Sequence, residues 1–536
     1  MNADYVIIGA GTAGCVLANR LSADGSKVVL LEAGPRNIHP LIHIPAGVRY
    51  LRNHPKLNWN YYSEPDPGAG DRALHWPRGK VLGGTGSING MLYVRGNASD
   101  YDRWERMGSP GWSYRDVLPF FKESERRDGG DDRYRGRGGL LPTVDSRSIL
   151  PLTHHFVKAA QEAGFQFNAD YNGETQDGVA YVQLNRVGRF RGSTANTYLS
   201  GAMNRPNLRV ELDATATGLH FKDARCTGVS FVQGSLIREV SAAREVIVAM
   251  GAVGSPHLLQ VSGVGPAEYL KAIGVRPVHD LPGVGANLCD HYSVRLLHQV
   301  KGLTSINELS RGWRLAREAL RYALTGQGAL SMGATSAMVF SRSRDGLDGP
   351  DLQISFTAAS YVSGKTLAFD DRPGMLALIC PVRPSSRGTV MAVSADPLRP
   401  PSIRPNYLSH PDDLRVLKAG FDQTRRIFAA PSLARSSVAE IAPGSQIGTD
   451  EAFEAFARNH GTSVFHPVGT CKMGTDPMSV VDARLKVRGI AGLRVVDASI
   501  MPCHTSGNSN APTIMIAEKG ASMIREDQKA SAVALT

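Results

Sequence analysis

Two short apolar runs near the start of the chain are separated by a segment with helical spacing. The first run, Tyr5 to Ile8, is rich in β-type residues and predicts a buried strand. A helix is predicted from Cys15 to Leu21, and a second strand from Val28 to Leu31. A strand, a helix and a second strand in this order form a β-α-β unit, the building block of a parallel sheet.

The turn between the first strand and the helix carries glycines in the spacing G-x-G-x-x-G. Gly9 allows the tight turn, Gly11 lets a ligand approach the backbone, and Gly14 lets the helix pack closely on the sheet. The helix N-terminus offers free N–H groups to phosphates. Glu32 ends the second strand, where a carboxylate can accept hydrogen bonds from ribose hydroxyls. The unit predicts a dinucleotide site. NAD and FAD both remain open, and NADP is disfavoured because the carboxylate repels its 2′-phosphate.

A second feature lies near the C-terminus, where SGNSNAPTIM (506–515) runs from a turn into an apolar segment. Asn508 and Asn510 flank a serine, and asparagine, glycine and serine are typical of turns. Pro512 suits the first turn of a helix, which the apolar residues after it predict. Asn510 is expected to cap this helix by position. The local pattern does not decide whether either asparagine takes part in chemistry.

Composition limits the classes of protein that fit the chain. It has 536 residues, of which 42% are hydrophobic and 20% charged, as is typical of a globular protein with two or more lobes. No apolar run reaches about 18 residues, so no membrane span is predicted. The start lacks the basic segment of a signal peptide. The six cysteines are scattered without a C-x-x-C pair, which argues against a zinc site or a disulfide scaffold. We therefore expect a cytoplasmic protein with reduced thiols and no metal.

The net charge is +11, from 60 basic and 49 acidic residues. The basic residues form no long tract, so nucleic-acid binding has no support. The segment RGWRLAREALRY (311–322) predicts a basic, partly amphipathic helix. A solvated helix face is the simpler interpretation, and peripheral contact with an anionic membrane surface is left open.

A further glycine-rich stretch, WPRGKVLGGTGSINGMLYVRGNASDYDRW (76–104), has Asn89 at its centre. Its part from Gly79 to Asp102 resembles the first signature of the glucose–methanol–choline (GMC) oxidoreductase family, and GAVGSPHLLQVSGVG (251–265) resembles the second. LPGVGANLCDH (281–291), HPVGTCKMG (466–474) and LRVVDASIMPCHTSGNSNAPTIMIAEK (493–519) resemble further family segments, in the family's order. The resemblance covers essentially the whole chain and points to the bacterial FAD-dependent alcohol, choline and sorbose dehydrogenases. It implies FAD as the cofactor.

The resemblance also implies an α/β (α+β) fold with two lobes. A Rossmann-like FAD-binding lobe is expected from residues 1–296 and 462–536, and a substrate-binding lobe, with an antiparallel sheet flanked by helices, from residues 297–461. LICPVRPSSRGTVMAVSADP (378–397) supports such a sheet, since two β-rich runs flank a polar turn. A family loop near residues 124–139 can cover the active site. The charged, turn-rich sequence there predicts a mobile surface loop.

Oxidising an alcohol with a flavin requires a base for the hydroxyl proton and a donor that stabilises the oxygen. His466 stands at the family's catalytic histidine position, and the resemblance implies that it is the base. The second catalytic position is histidine or asparagine in the family. Counted back from Glu518, it falls on Asn510, whose amide can donate a hydrogen bond but cannot take a proton. Asn508 is assigned to the turn, and His504 to the loop.

The resemblance further implies which residues bind FAD. Ala216 matches a backbone contact to adenine, and Asp497 and Ala498 match the segment along the ribityl and phosphate groups. Thr513 starts a helix that can polarise the flavin O2 edge. The expected cofactor-binding residues are Gly9, Gly11, Thr12, Ala13, Gly14, Glu32, Ala33, Arg78, Gly79, Gly83, Ser87, Asn89, Gly90, Met91, Leu92, Ala216, Asp497, Ala498, Pro512 and Thr513. Members with covalent flavin carry histidine at the position of Ile88, so FAD is expected to be non-covalent.

The substrate is less sharply specified. Enzymes that act on choline need a carboxylate and aromatic rings to bind its quaternary ammonium group. Many relatives have glutamate at the position assigned to Thr335, so a cationic substrate is disfavoured. A pocket wall formed by Phe465, Met332 and Met338 suits an apolar or aromatic primary alcohol, although both methionines fit a core equally well. Val464 has a small side chain that is compatible with oxygen reaching the flavin.

The expected function is oxidation of a primary alcohol to an aldehyde, with a quinone-type acceptor. Alternatives remain open: an oxygen-using alcohol oxidase, a choline or sorbose dehydrogenase, and a non-redox hydroxynitrile lyase or a photodecarboxylase on the same scaffold. The expected partners are a small-molecule alcohol and an electron acceptor, which is a quinone, a dye or O2. The oligomeric state is left open.

Overall fold

The computed structural model describes residues 1–362 and 368–533. Its strands are β1 (Asn2–Ile8), β2 (Val28–Leu31), β3 (Tyr61–Tyr62), β4 (His75–Trp76), β5 (Glu125–Arg126), β6 (Leu141–Asp145), β7 (Gly178–Tyr181), β8 (Gln183–Val187), β9 (Phe190–Arg191), β10 (Leu208–Glu211), β11 (Ala214–Lys222), β12 (Arg225–Gln233), β13 (Leu236–Val248), β14 (Val264–Gly265), β15 (His279–Asp280), β16 (Tyr292–Val300), β17 (Ala337–Ser341), β18 (Leu352–Thr357), β19 (Gly374–Pro381), β20 (Thr389–Met391), β21 (Ser402–Arg404), β22 (Ser437–Ala442), β23 (Thr462–Ser463) and β24 (Leu493–Val495).

The helices are α1 (Thr12–Leu21), α2 (Pro40–His43), α3 (Val48–Leu51), α4 (Ala98–Arg106), α5 (Tyr114–Ser124), α6 (Pro151–Glu162), α7 (Gly251–Val261), α8 (Ala267–Ala272), α9 (Ile306–Leu309), α10 (Gly312–Thr325), α11 (Pro411–Ala429), α12 (Pro431–Ala434), α13 (Asp450–His460) and α14 (Asn510–Val533). In the described part of the chain, no helix is both long and apolar enough to cross a membrane.

The first large sheet has the strand order β10-β2-β1-β13-β12-β11, with β24 paired to β13. Its centre is parallel, and β11 and β12 extend it as antiparallel strands. All four residues of β2 are buried, as expected for a parallel strand covered on both faces. The predicted β-α-β unit is confirmed. β2 has the predicted bounds, while β1 and α1 each begin three residues earlier than predicted.

The second large sheet has the order β22-β16-β19-β18-β17-β7, with β23 paired to β16, and all of its strand pairs are antiparallel. Helices α6 and α11 pack on one face, where Phe156 stacks on Phe356 with ring centroids 4.2 Å apart. The predicted antiparallel sheet flanked by helices is therefore confirmed. Strand β7 comes from the segment expected in the FAD lobe, and the lobe boundaries themselves remain a prediction.

Residues 378–397 do form two strands, but these strands do not pair with each other. β19 lies inside the second large sheet, whereas β20 pairs with β21 in a separate ribbon. The turn between them is held by another part of the chain, since Gly388 exchanges two backbone hydrogen bonds with Leu288. The two predicted runs are therefore strands joined by a turn, but only β19 belongs to the large antiparallel sheet that this segment was expected to support.

The charged segment 124–139 is anchored to the core. Glu125 is buried and accepts from Arg95 at 2.7 Å and from Arg135 at 2.5 Å. Arg135 also pairs with Asp170 at 2.9 Å. Buried charges of opposite sign that satisfy one another hold a backbone in place. The prediction of a mobile surface loop was wrong for this part of the segment, because the sequence does not reveal which arginines turn inward.

Candidate active site

A cavity of about 870 Å³ lies between the two large sheets. The carboxyl ends of β1 and β2 and the start of α1 border one end of it. The free face of the second sheet, through β18 and β19, borders the other end. Ligands of open parallel sheets bind outside the carboxyl ends of the strands, which is where this cavity begins.

Glycines shape the first end of the cavity in two different ways. A Cβ at Gly14 would lie 1.9 Å from the carbonyl oxygen of Gly9, so close packing of α1 against the turn requires glycine there. A Cβ at Gly11 would meet only one protein atom within 4 Å, the carbonyl oxygen of Ala249 at 4.0 Å. Packing within the protein therefore does not require Gly11. Because Gly11 lines the cavity, its missing side chain leaves room for a ligand that approaches the backbone.

Glu32 lies at the end of β2 with its carboxylate at the cavity wall. It accepts backbone hydrogen bonds from Ala10 at 3.0 Å and from Gly34 at 2.9 Å. Burial raises its pKa to about 7. Each carboxylate oxygen has further acceptor capacity, so Glu32 can also receive hydrogen bonds from ribose hydroxyls. This end of the cavity fits the adenosine part of a dinucleotide.

Most of the predicted cofactor-binding residues line the cavity. They are Gly9, Gly11, Thr12, Ala13, Glu32, Ala33, Arg78, Gly79, Asn89, Gly90, Met91, Leu92, Ala216, Asp497, Ala498 and Thr513. The Asp497 carboxylate is buried and accepts from Gly251 N–H at 2.8 Å and from Ser255 Oγ at 2.5 Å. Ile88 also lines the cavity, and its aliphatic side chain cannot bond covalently to a flavin.

Four predicted cofactor-binding residues stand behind the cavity wall instead of lining it. Gly14 packs against the turn, as described. Gly83 has φ +91° and donates its N–H to Ala10 at 2.7 Å, and Ser87 donates its hydroxyl to Leu82 at 2.7 Å. Pro512 lies within the first turn of α14. These residues shape the backbone around the cavity, so their assignment as contact residues is corrected.

Asn89 is held by a residue that the sequence analysis did not single out. Its Oδ1 atom accepts from Met91 N–H at 2.9 Å and from Arg191 Nη1 at 2.9 Å. Arg191 is buried and also donates to the carbonyl oxygen of Ile42 at 2.8 Å. The Asn89–Leu92 strip is therefore fixed from behind by a buried guanidinium group. No local pattern marks Arg191, which lies 102 positions further along the chain.

His466 lies at the cavity wall just after β23. Its backbone N–H donates to Asp290 Oδ1 at 2.8 Å, and its carbonyl oxygen accepts from His504 Nε2 at 2.7 Å. His504 is buried and stacks on His291, with ring centroids 3.6 Å apart. Three histidines therefore cluster at this site, where the sequence analysis assigned a role only to His466 and read His504 as loop.

The structure places Asn508, not Asn510, against His466. The distance from Asn508 Nδ2 to His466 Nε2 is 3.0 Å. Asn510 is the first residue of α14, and its Oδ1 atom accepts from Thr12 Oγ1 at 3.0 Å. The register counted from Glu518 is therefore corrected by two residues. Helical spacing positions Asn510 on α14, but the loop before the helix bends back and carries Asn508 to the histidine.

The contacts of His291 and His466 fix the positions of their ring protons. His291 Nε2 lies 3.1 Å from the carbonyl oxygen of Val382, which can only accept, so this nitrogen carries the proton. Its Nδ1 atom is then an acceptor for His466 Nδ1–H at 3.1 Å. His466 Nε2 is left with a lone pair, which faces the Asn508 amide at the cavity wall. The direction of the hydrogen bond from His466 to His291 therefore follows from the carbonyl acceptor at Val382.

Both rings are neutral in this arrangement. Burial and the neighbouring charges of His504 and Arg78 lower the pKa of His466 well below its ordinary value. The pKa of His291 is likewise lowered well below its ordinary value by burial. A neutral imidazole with an unprotonated Nε2 atom is the form that a general base requires. The site can therefore take up a proton at His466 Nε2.

The predicted pocket residues Val464, Phe465 and Thr335 line the cavity at the end that contains His466. Met332 lines it as well. Met338 is fully buried in a core cluster with Phe340 and does not reach the cavity. One of the two methionines is therefore a wall residue, and the other belongs to the core.

Comparison with known proteins agrees with this site. Models of the N-terminal and C-terminal parts of the GMC oxidoreductases match residues 3–293 and 384–517. The chain is 43% identical over 529 residues to an alcohol dehydrogenase [acceptor] of Pseudomonas putida, covering 97% of this chain and 95% of the relative. It is 42% identical over 531 residues to an oxygen-dependent choline dehydrogenase of Brucella canis, with 98% and 96% covered.

Among solved structures, pyridoxine 4-oxidase from Mesorbium loti superimposes with a TM-score of 0.90 at 29% identity, with 98% of this chain and 99% of the other covered. His291, His466 and Asn508 all lie within the ranges that the two family models match. The chain belongs to the GMC oxidoreductase family and is an FAD-binding enzyme that oxidises CH–OH groups.

Proposed function

We propose that this enzyme oxidises a primary alcohol to its aldehyde, with His466 as the base. The observation that carries the proposal is the lone pair of His466 Nε2, which faces the amide of Asn508 at 3.0 Å inside the cavity. An alcohol oxygen that replaces this direct contact can give its proton to His466 Nε2 and accept a hydrogen bond from the Asn508 amide. Base and donor then act on one oxygen.

The positive charge that builds up on His466 is accommodated by His291. After proton uptake, His466 keeps its Nδ1–H bond to His291, whose Nδ1 lone pair faces the new positive charge. The Asn508 amide cannot be protonated, so it acts only as a donor to the substrate oxygen. FAD, when bound, supplies the acceptor for the hydride that leaves the carbinol carbon. Glu32, Asp497 and the Asn89–Leu92 strip are the residues that would hold it.

The walls near His466 favour an alcohol with an apolar or aromatic body. Phe465 and Met332 offer apolar surface, and Leu376 and Leu378 of β19 do so from the second sheet. Thr335 supplies no carboxylate for a quaternary ammonium group. A choline-like cation is therefore disfavoured as substrate, whatever the overall likeness to choline dehydrogenases.

The proposed acceptor is of the quinone type, reached from a membrane surface. Helix α10 turns an apolar face outward: Trp313, Leu320 and Leu324 are 68%, 60% and 73% exposed. Arg317 and Arg321 follow on the adjacent face of the helix. An apolar face flanked by arginines suits the headgroup region of an anionic bilayer.

The position of α10 supports the same acceptor. Leu315 of α10 and Ile306 and Leu309 of α9 line the cavity, so the helix pair borders the site. A lipid-soluble acceptor could reach the cavity from a bilayer on which α10 rests. The proposal thus places the enzyme in the cytoplasm, at the inner face of the membrane. The six cysteines, all unpaired and buried, are consistent with a reducing compartment.

An anaerobic reduction screen tests the proposal. The FAD-loaded enzyme is mixed without oxygen with aliphatic, aromatic, sugar and choline-like alcohols, and the visible flavin band is followed. We expect primary aliphatic or aromatic alcohols to bleach the band and choline to leave it unchanged. Re-oxidation is then timed with a soluble quinone and with O2, and the quinone should be faster. If no alcohol bleaches the flavin band and the enzyme instead cleaves a cyanohydrin, the enzyme is a lyase and not an oxidoreductase.

A further inference from the structure

Two arginines that have no acidic partner in the described part of the chain line the substrate end of the cavity. Arg295 lies on β16 and faces the same side as its cross-strand neighbours, since it pairs with Leu378, which pairs with Ser355, and all three line the cavity. Arg52 directly follows α3 and lines the cavity as well. The two cations are close enough for the charge of Arg295 to act on Arg52.

Neither guanidinium group has a protein acceptor among the residues that the structure describes. Arg52 and Arg295 form no side-chain hydrogen bond and no ion pair there, and Arg52 Nε is shielded from solvent without a partner. Burial and the charge of Arg295 lower the pKa of Arg52 to about 10. The buried Arg494, by comparison, forms an ion pair with Glu245 at 2.7 Å. A cation shielded in this way is costly unless something negative compensates for it.

The carboxylates among the described cavity-lining residues lie at the other end. They are Glu32 and Asp497, and both already accept backbone N–H bonds around the dinucleotide site. Neither therefore serves as the counter-ion of Arg52 or Arg295. The compensating negative charge has to come from a molecule that enters the cavity.

The arginine pair lies beside the proposed base. The guanidinium carbon of Arg52 stacks over the Phe465 ring at 4.5 Å from its centroid, and Phe465 directly precedes His466. A substrate with its hydroxyl at His466 would extend along Phe465 before reaching Arg52. Phe465 therefore offers apolar surface between the base and Arg52.

We infer that the alcohol carries a carboxylate at the end remote from its hydroxyl, and that Arg52 and Arg295 bind this carboxylate. The inference rests on the proposed oxidation of an alcohol at His466 and names the substrate class of that same site. Guanidinium groups bind carboxylates with two parallel N–H···O bonds, so the pair also orients the molecule. The apolar wall between the two ends accounts for the body of the substrate.

Matched substrates test the inference on the FAD-loaded enzyme. Flavin reduction without oxygen is compared for 4-(hydroxymethyl)benzoate and its methyl ester, and for 6-hydroxyhexanoate and its methyl ester. We expect the carboxylate of at least one pair to be preferred by roughly 10- to 100-fold in kcat/KM. Arg52→Gln and Arg295→Gln should each abolish most of this preference, because each lowers the rate with the acid more than the rate with the ester. Arg344→Gln, at an exposed arginine of the second lobe, is the matched control and should keep the preference.

Binding without turnover separates this inference from the proposed function. Benzoate and benzamide are titrated into the wild-type enzyme while the flavin spectrum is followed, and benzoate should bind at least about 10-fold more tightly. Equal reactivity of acid and ester in both pairs, or equal binding of the two probes, overturns the carboxylate site. Loss of FAD instead of discrimination in the arginine variants overturns it too. If no alcohol reduces the flavin, the proposed oxidation fails, and the benzoate titration still decides whether the anion site exists.

Discussion

The Nε2 atom of His466 and the amide nitrogen of Asn508 lie 3.0 Å apart at the wall of the cavity, although 42 positions separate the two residues in the chain. The loop before α14 makes this contact possible, because it bends back towards β23 before the helix begins. Asn510, two residues further on, points instead to Thr12 at the start of α1. The two asparagines of one short turn therefore serve opposite ends of the site.

Separate replacement of the two asparagines should give different defects. Asn508→Ala removes the donor to the substrate oxygen, so flavin reduction should slow by roughly 100- to 1000-fold while FAD stays bound. Asn510→Ala removes the bond to Thr12 at the dinucleotide end, so it should weaken FAD binding more than it slows reduction. Stopped-flow reduction and FAD content are measured on both variants. The reverse pattern would reinstate Asn510 as the partner of His466.

His291 should act as a positioning residue through the tautomer of His466. His291→Phe keeps a ring in the stack with His504 but removes the acceptor of His466 Nδ1–H. His466 can then carry its proton on Nε2, where it blocks proton uptake. Reduction should fall by roughly 10- to 100-fold with FAD retained, and the pH profile should change as well. A wild-type rate and pH profile in this variant would contradict the positioning role of His291.

The pH dependence of reduction follows from the depressed pKa of His466. The base is active when deprotonated, so the rate should be constant above its pKa and fall as the pH decreases through it. Because the pKa lies well below its ordinary value of 6.5, the decline should have its midpoint below pH 6.5. Stopped-flow rates between about pH 5 and pH 9 check this. A midpoint at or above 6.5 is incompatible with a neutral, buried His466.

Alanine at two glycines of the same motif should give different defects, one in FAD binding and the other in the stability of the fold. Gly11→Ala places its Cβ in the cavity without a protein clash, so the fold should persist while FAD affinity drops. Gly14→Ala places its Cβ 1.9 Å from the Gly9 carbonyl oxygen, so the fold itself should lose roughly 1–3 kcal/mol or more. Thermal unfolding of the FAD-free proteins and FAD titration distinguish the two. Equal loss of stability in both variants would show that Gly11 has a packing role.

Helix α10 should bind vesicles of anionic lipid. Trp313→Ser together with Leu324→Ser removes apolar surface from its exposed face, so the variant should no longer co-sediment with phosphatidylglycerol vesicles. Ile237→Ser, which is at a position 78% exposed in the first sheet, is the matched control and should sediment like the wild type. Reduction by the alcohol should be the same in all three proteins. Sedimentation of the double variant at the wild-type level would exclude α10 as the contact.

Local pattern was enough to predict the β-α-β unit, and the reason is that its signals are local. The run from Val28 to Leu31 is a strand buried on both faces, so every position is apolar and its ends are visible. β1 was predicted too short because Asn2 and Asp4 do not look like strand residues, although Asn2 pairs with Ser241 of β13. A polar residue at a strand end hides the boundary.

The contacts that complete the site could not be predicted in the same way. His291 meets His466, and Arg295 acts on Arg52, across 175 and 243 positions of the chain. Which of many histidines and arginines turn inward depends on how the two sheets pack, and no periodicity records it. The two-residue error at Asn510 has the same origin, since the spacing within α14 says nothing about the path of the loop before it.

The most direct test of the account is the anaerobic reduction of His466→Ala by an alcohol that reduces the wild-type enzyme. The variant should fold, keep FAD and lose reduction by roughly 100- to 10,000-fold, because general-base catalysis is removed and the dinucleotide site is untouched. Reduction of the variant at the wild-type rate, with FAD fully bound, would show that His466 is not the base and would contradict the central claim.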